Sequence, residues 1–267
     1  MINTYNYRGK SWIDIDHGTP EEIHKLMEEY KINPFVTKEL TSITPKARIE
    51  FHPNYIYCIL HFPVFKHTHT EGKNQEVDFI LSKDVVMTTR YDTIDALHKF
   101  AKEIETQEIL DKSKQNIETH TIFTTILRRL YVSVFEELEY IEDLTEEITG
   151  KIFKGKEKEM VMSISEVTRT ILDFKRIIDM HQEILNSLKQ KGVEFFGKSF
   201  EGELENVTAD YQKINTTIKS NLEVLHELQQ TNNSLVTTEQ NETIKKFTII
   251  GAVLLIMSLL VSIYLLF

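Results

Sequence analysis

Thr248, Gly251, Ser258 and Ser262 are small or hydroxyl-bearing residues of a closing run, Phe247–Phe267, that carries no charged side chain. With Leu255 they recur at steps of 3, 4, 3 and 4, so a helix places them on one face. Such a stripe either lets another helix approach closely or lines water. Asn241, about two turns earlier, extends it with an amide. The other faces are aliphatic, as at Ile249, Val253, Leu254, Ile256, Leu260 and Ile263. The chemistry on offer is helix contact or passage of a polar species.

Bond-breaking chemistry finds little support. The sequence has no Gly-rich phosphate loop, no Cys pair, no H-E-x-x-H and no G-x-S-x-G. No spacing pairs a nucleophile with a base, so the expectation is no enzyme. His67 and His69 offer two metal ligands, but they sit between predicted strands beside Gly72 and read as a solvated hairpin loop. The acidic run EELEYIEDLTEE (136–147) reads as the wet face of a helix, and His226 as a flank residue beside Leu225 and Leu228. Cys58, the single cysteine, lies in the apolar run YIYCIL and reads as a buried residue. The net charge of −10, from 41 acids and 31 bases, argues against nucleic acid as a partner. It suits solubility and the attraction of cations.

The elements that must position the stripe follow from patterning. About 20 apolar residues cross a hydrocarbon core of roughly 30 Å, so Phe247–Phe267 reads as one transmembrane helix. Lys245 and Lys246 precede it, which places the N-terminal part in the cytoplasm and the span in the cell (inner) membrane as a single pass. The opening MINTYNYRGKSWIDID has no apolar signal-peptide core. From Glu203 onward there is no proline, and Leu204, Val207, Tyr211, Ile214, Ile218, Leu222, Leu225 and Leu228 follow a near-heptad spacing. This predicts a rigid stalk helix of about 100 Å that runs into the span without interruption.

Upstream, SWIDID alternates as a strand. TPEEIHKLMEEY is a helix with Thr19 as cap, Pro20 at its first position and Glu22 closing a capping box. NPFVTKELTS is a short helix, and IEF, NYIYCILHFPVF, EVDFILSK and DVVMTTRY are strands. Helical periodicity takes over from about residue 93, broken near KGKEKEM and looser at KQKGVEFFGKSFEG. The predicted class is α+β: an α/β N-terminal domain, then a long helical stalk leading into one C-terminal transmembrane helix. The divisions are residues 1–100 for the α/β domain, 101–200 for a helical region, 201–246 for the stalk and 247–267 for the span.

With these features in place, the chain resembles the CorA family of magnesium and divalent-cation transporters over about residues 10–264. WIDID with TPEEIHKL is similar to the family's opening strand and helix, and DFILSKDVVMTTRYDTIDAL to its last strand. NETIKKFTIIGAVLLIMSLLVSIY follows its pore-helix pattern. The resemblance implies a homopentamer in membrane lipid that passes Mg²⁺ passively, with Co²⁺, Ni²⁺ and Zn²⁺ among the ions moved in the wider family, and no cofactor. It implies a pore face of Asn241, Ile244, Phe247, Gly251, Leu255, Ser258 and Ser262. Neutral oxygens at Asn241, Ser258 and Ser262 suit an ion that sheds water reluctantly, while Ile244, Phe247 and Leu255 form apolar constrictions. The stalk seam, Leu204 to Leu228, is then expected to hold five chains together. The family's cytosolic sensing acids match poorly: Asn206 stands where an acid is usual, and Glu205 and Asp210 lie close to it as the candidate regulatory metal ligands. Family members follow Ile-Tyr with Gly-Met-Asn and a second membrane helix. Here Leu265-Leu266-Phe267 follows Ile263-Tyr264, and Ile256 replaces a mid-helix proline. Three readings stay open: a conducting subunit, a tail-anchored scaffold or regulatory subunit of that family, or the front part of a longer transporter.

Overall fold

The computed structural model describes residues 1–64, 74–110 and 117–266. They divide into two compact units, Met1–Tyr140 with Thr170–Ser220, and Ile141–Arg169 with Asn221–Phe267.

The first unit is built on a six-stranded mixed sheet of order β1-β2-β6-β5-β4-β3. Its strands are β1 (Ile2–Tyr7), β2 (Lys10–Asp16), β3 (Arg48–Phe51), β4 (Ile56–Phe62), β5 (Gln75–Leu81) and β6 (Val85–Arg90). Only the β2–β6 pairing is parallel. The sequence reading contained all but β1, a half-exposed edge strand. Arg8 (φ 48°) and Gly9 (φ 84°) make the tight turn that pairs it with β2. Two successive positive φ angles match the twist of a hairpin.

Each face of the sheet has its own cover. On one, Ile13, Ile15, Tyr57, Ile59, Ile80 and Met87 pack beneath α1 (Pro20–Glu29) and α2 (Pro34–Glu39) through Ile23, Met27, Val36 and Leu40. Thr19 caps α1 in the predicted box: Glu22 N–H donates to Thr19 Oγ1 and Thr19 N–H to Glu22 Oε2. On the other face lie α3 (Asp95–Leu110) and the start of α4 (Thr119–Lys151). Trp12 meets Phe100 at 5.2 Å and Phe79 meets Phe123 at 5.2 Å between ring centres. Because both faces are covered, β5 and β6 are buried along their whole length. That explains why their sequences read as apolar runs rather than as alternation.

After α4 the chain makes a π-helical turn, Ile152–Lys156, with Gly155 at φ 80°, and continues as α5 (Glu157–Ser187). The segment expected to be loose is mostly helical: a second π-turn at Leu188–Gly192, α6 (Val193–Phe196), a break at Gly197 (φ 97°), and α7 (Lys198–Leu266).

The seam on α7 does different work from that expected. Leu204, Val207, Tyr211, Ile214 and Ile218 are already buried in the first unit, and Leu225 and Leu228 in the second. In the first unit α4 supplies part of the cover: Arg128 Nε donates to Asp210 at 2.7 Å, and Lys213 sits 4.6 Å from the centre of the Phe135 ring. A heptad spacing shows that a stripe must be buried, not which helix buries it. Here the same chain does so, and the seam is not a free surface for holding five chains together.

Candidate functional site

The stripe residues Asn241, Ile244, Phe247, Gly251, Leu255, Ser258 and Ser262 all fall on α7, and every one is exposed in the single chain. At 3.6 residues per turn they share one side of the helix. Thr248 Oγ1 donates back to the carbonyl of Ile244 and Ser258 Oγ to that of Leu255, both at 2.9 Å. These hydroxyls are thus satisfied within the helix and keep lone pairs free as acceptors, which makes them tolerable where water is scarce.

Among the described residues the apolar stretch has no cover at all. Ile249, Ile250, Leu254, Ile256, Leu259 and Leu260 are each more than half exposed. At about 2 kcal/mol per buried aliphatic side chain, leaving these six in water forfeits on the order of 12 kcal/mol. A helix of this kind is stable only against lipid or other helices.

The first unit holds a cleft of about 970 Å³ lined by Lys99, Arg128, Arg129, Glu136, Asn206 and Asp210 among others. Its two arginines are paired: Arg128 with Asp210, and Arg129 with Glu103. Asp210 is therefore engaged by a guanidinium, while Glu205 faces solvent. The fold does not bring Glu205 and Asp210 together. No cluster of three or more His, Cys, Asp or Glu able to hold a metal occurs among the described residues. His67 and His69 lie outside the described residues. The acidic helix face at 136–147 and His226 are solvent-facing at most positions, and His226 pairs with Gln230 at 2.9 Å.

The sequence reading missed the polar tie at the base of α7. Glu203 accepts from Thr121 Oγ1 at 2.7 Å and Thr124 Oγ1 at 2.9 Å, and its Oε2 lies 2.9 Å from His120 Nδ1. His120 Nε2 lies 3.1 Å from Ser199 Oγ. Burial pushes the Glu203 carboxyl up, but the bonds from His120 and the two threonines outweigh it and hold it below the usual carboxylate range. Ser199, His120 and Glu203 thus fall in hydroxyl–imidazole–carboxylate order, although no local sequence signal joins residues 79 and 83 positions apart. The imidazole packs against Phe196 and Phe200. The arrangement fastens the first turns of α4 to the first turns of α7.

The family profile described as "CorA-like Mg²⁺ transporter protein" matches residues 8–264. The chain belongs to the CorA-like Mg²⁺ transporter family. The cobalt/magnesium transport protein CorA of Thermotoga maritima is 21% identical over 256 residues, covering 95% of this chain and 72% of that one. The magnesium transport protein CorA of Wolinella succinogenes is 23% identical over 265 residues, covering 95% and 78%. The solved CorA magnesium transporter from Methanocaldococcus jannaschii superposes with a TM-score of 0.76 at 21% identity, covering 90% of this chain and 74% of that one. Full-length CmaX superposes with a TM-score of 0.76 at 14% identity, covering 94% and 76%. The CorA fold is therefore present: a mixed-sheet N-terminal domain, a long helix and an apolar C-terminal stretch. CorA proteins move ions and are not enzymes, so the Ser199–His120–Glu203 chain is a structural tie.

Proposed function

We propose that this chain is the subunit of a CorA-type divalent-cation transporter, with Mg²⁺ as cargo, that assembles as a homopentamer in the cell (inner) membrane with its N-terminal units in the cytoplasm. The supporting observation is the family match together with an α7 segment that is long, uncharged and wholly uncovered in the single chain. Five copies would turn the stripe from Asn241 to Ser262 toward a common axis and their aliphatic faces toward lipid. The path would be passive. Amide and hydroxyl oxygens at Asn241, Ser258 and Ser262 would meet the hydrated ion, and Ile244, Phe247 and Leu255 would be apolar constrictions. The regulatory role of Glu205 and Asp210 belongs to the same proposal; it requires Asp210 to exchange Arg128 for an ion when copies assemble.

The test is Mg²⁺ entry into proteoliposomes carrying a Mg²⁺-sensitive dye, with the purified full chain as the only protein. Flux that falls at least tenfold with Leu255→Trp supports the proposal. An inserted pentamer that passes no ion overturns it. A second reading, a non-conducting anchored regulator of relatives that carry Gly-Met-Asn, is favoured by Leu265-Leu266-Phe267 standing where the resemblance implies that tripeptide. It expects flux only on co-reconstitution with such a relative.

A further inference from the structure

In the second unit the α4–α5 connection stands clear of the packed helices. α4 buries Ile148 and the π-turn after it Ile152, α5 buries Ile164 and Val167, and α7 buries Leu228 and Asn232. Between Ile152 and Met160 burial stops, and the chain reverses at Gly155. Phe153 stands there 69% exposed. Lys154 and Lys156 are exposed beside it, and Lys151 is partly so. Residues 151–158 read KIFKGKEK, four lysines against one glutamate in a chain whose net charge is −10. Lys151 is held by Glu147 and Lys156 by Glu159, each on the surface, while Lys154 has no ion pair among the described residues.

An ion pair fixes where this tip sits. Lys158 Nζ lies 2.6 Å from Glu239 on α7. Glu239 precedes Phe247 by two helical turns, about 12 Å of axis. The headgroup layer reaches roughly 5–8 Å beyond the hydrocarbon, and extended lysine side chains add about 6 Å, a separation they can bridge by snorkelling. An aromatic side chain flanked by lysines is the composition that partitions to such an interface.

We propose that the Phe153 tip is a second membrane contact, seated on the anionic lipid headgroups of the leaflet through which α7 enters. The proposal rests on the reading that the segment after Phe247 is inserted in the bilayer. Phe153 supplies apolar area at the headgroup boundary, and Lys151, Lys154 and Lys156 supply charge. The contact would hold the α4–α5 turn at a fixed height beside the entrance of the span. Movement of α7 would then be felt at the tip through the Lys158–Glu239 pair.

Cys58 is fully buried, so a thiol introduced at the surface takes a probe selectively. The full chain carrying Phe153→Cys, labelled with a polarity-sensitive fluorophore, is placed in nanodiscs of phosphatidylcholine alone or mixed with phosphatidylglycerol. A second preparation carries the probe at Leu260→Cys, on the lipid-facing side of α7. The expected result is quenching of the 260 probe by spin-labelled lipid in both discs. The 153 probe should shift to the blue, and be quenched by headgroup-labelled lipid, only with phosphatidylglycerol. Lys154→Gln should lower the contacting-to-free ratio about fivefold. A 153 probe that stays water-like in both discs, while the 260 probe is quenched, overturns this proposal and leaves insertion standing. Equal shifts in both discs overturn it too, because the contact is then not with anionic lipid. An unquenched 260 probe removes the insertion reading and the proposal together.

Discussion

His181 has both ring nitrogens committed. Nε2 lies 2.8 Å from the carbonyl of His61, an acceptor, so it must carry the proton; Nδ1 then accepts from Tyr131 Oη at 3.0 Å. Burial, only partly offset by the His61 carbonyl, holds its pKa down at about 4, against an ordinary 6.5. Between these values the unfolded chain takes up a proton that the folded chain refuses. The contribution is complete above pH 6.5 and drains away as pH falls toward 4, a loss of about 3 kcal/mol. Thermal melts of the detergent-solubilised chain should show this acid slope. His181→Gln keeps a donor for the carbonyl without a titrating ring and should flatten it. Asp78 titrates in the other direction. Burial and the neighbouring Glu76 charge push its carboxyl well above the usual range, while Tyr91 donates to it at 3.0 Å. Above pH 3.8 the unfolded chain releases a proton that the folded chain keeps, so this group's contribution falls as pH rises. Asp78→Asn should therefore melt higher than the parent near neutrality, with the gap closing in acid. Parallel pH profiles for the two would contradict the assignment.

Among the elements, α7 and the break before it invite paired substitutions. Gly197 holds φ 97° and ψ −178°, a conformation essentially restricted to glycine. Gly202 lies inside α7 with nothing within 4 Å of an added Cβ. Gly197→Ala should cost roughly 1–3 kcal/mol, and Gly202→Ala should add about 0.5–1 kcal/mol. The same methyl group thus changes sign over five positions, and melting temperatures check it. The seam carries a second prediction. Ile214 is fully buried within the chain, so Ile214→Ala should cost about 2–5 kcal/mol of the subunit's own stability. Had the seam joined separate chains, the loss would appear in oligomer mass at an unchanged melting point.

For the whole molecule, assembly has to come from surface that one chain leaves uncovered. On α7 that surface begins near Thr237 and continues through Ile263. Ser258 and Leu260 lie on opposite sides of this helix, two residues and about 200° apart. With Cys58 buried, Ser258→Cys should form cross-links between copies in membranes under mild oxidation, and Leu260→Cys should not. Strong cross-linking at position 260 alone would turn the stripe outward and reverse the proposed pore face.

The sequence by itself determined what each element is. Capping at Thr19, turn residues at Ser82-Lys83-Asp84, β-branched runs and helical spacing are local signals, and they sufficed for the strands β2 to β6 and for the longer helices, while α6 and the first turn of α7 read as loose. The uncharged run after Phe247 was legible for the same reason, since its demand for a non-aqueous neighbour is set by composition. The tertiary structure decided who meets whom. The stripe from Leu204 to Ile218 asks only to be buried, and the fold spent it inside the chain. Glu203 meets His120 across 83 positions, and Asp14 meets Arg90 and Thr88 across more than 70, in a buried network on the sheet. Such partners leave no periodicity to read, because a hydrogen bond depends on atoms within about 3 Å, and chain connectivity alone does not fix that distance.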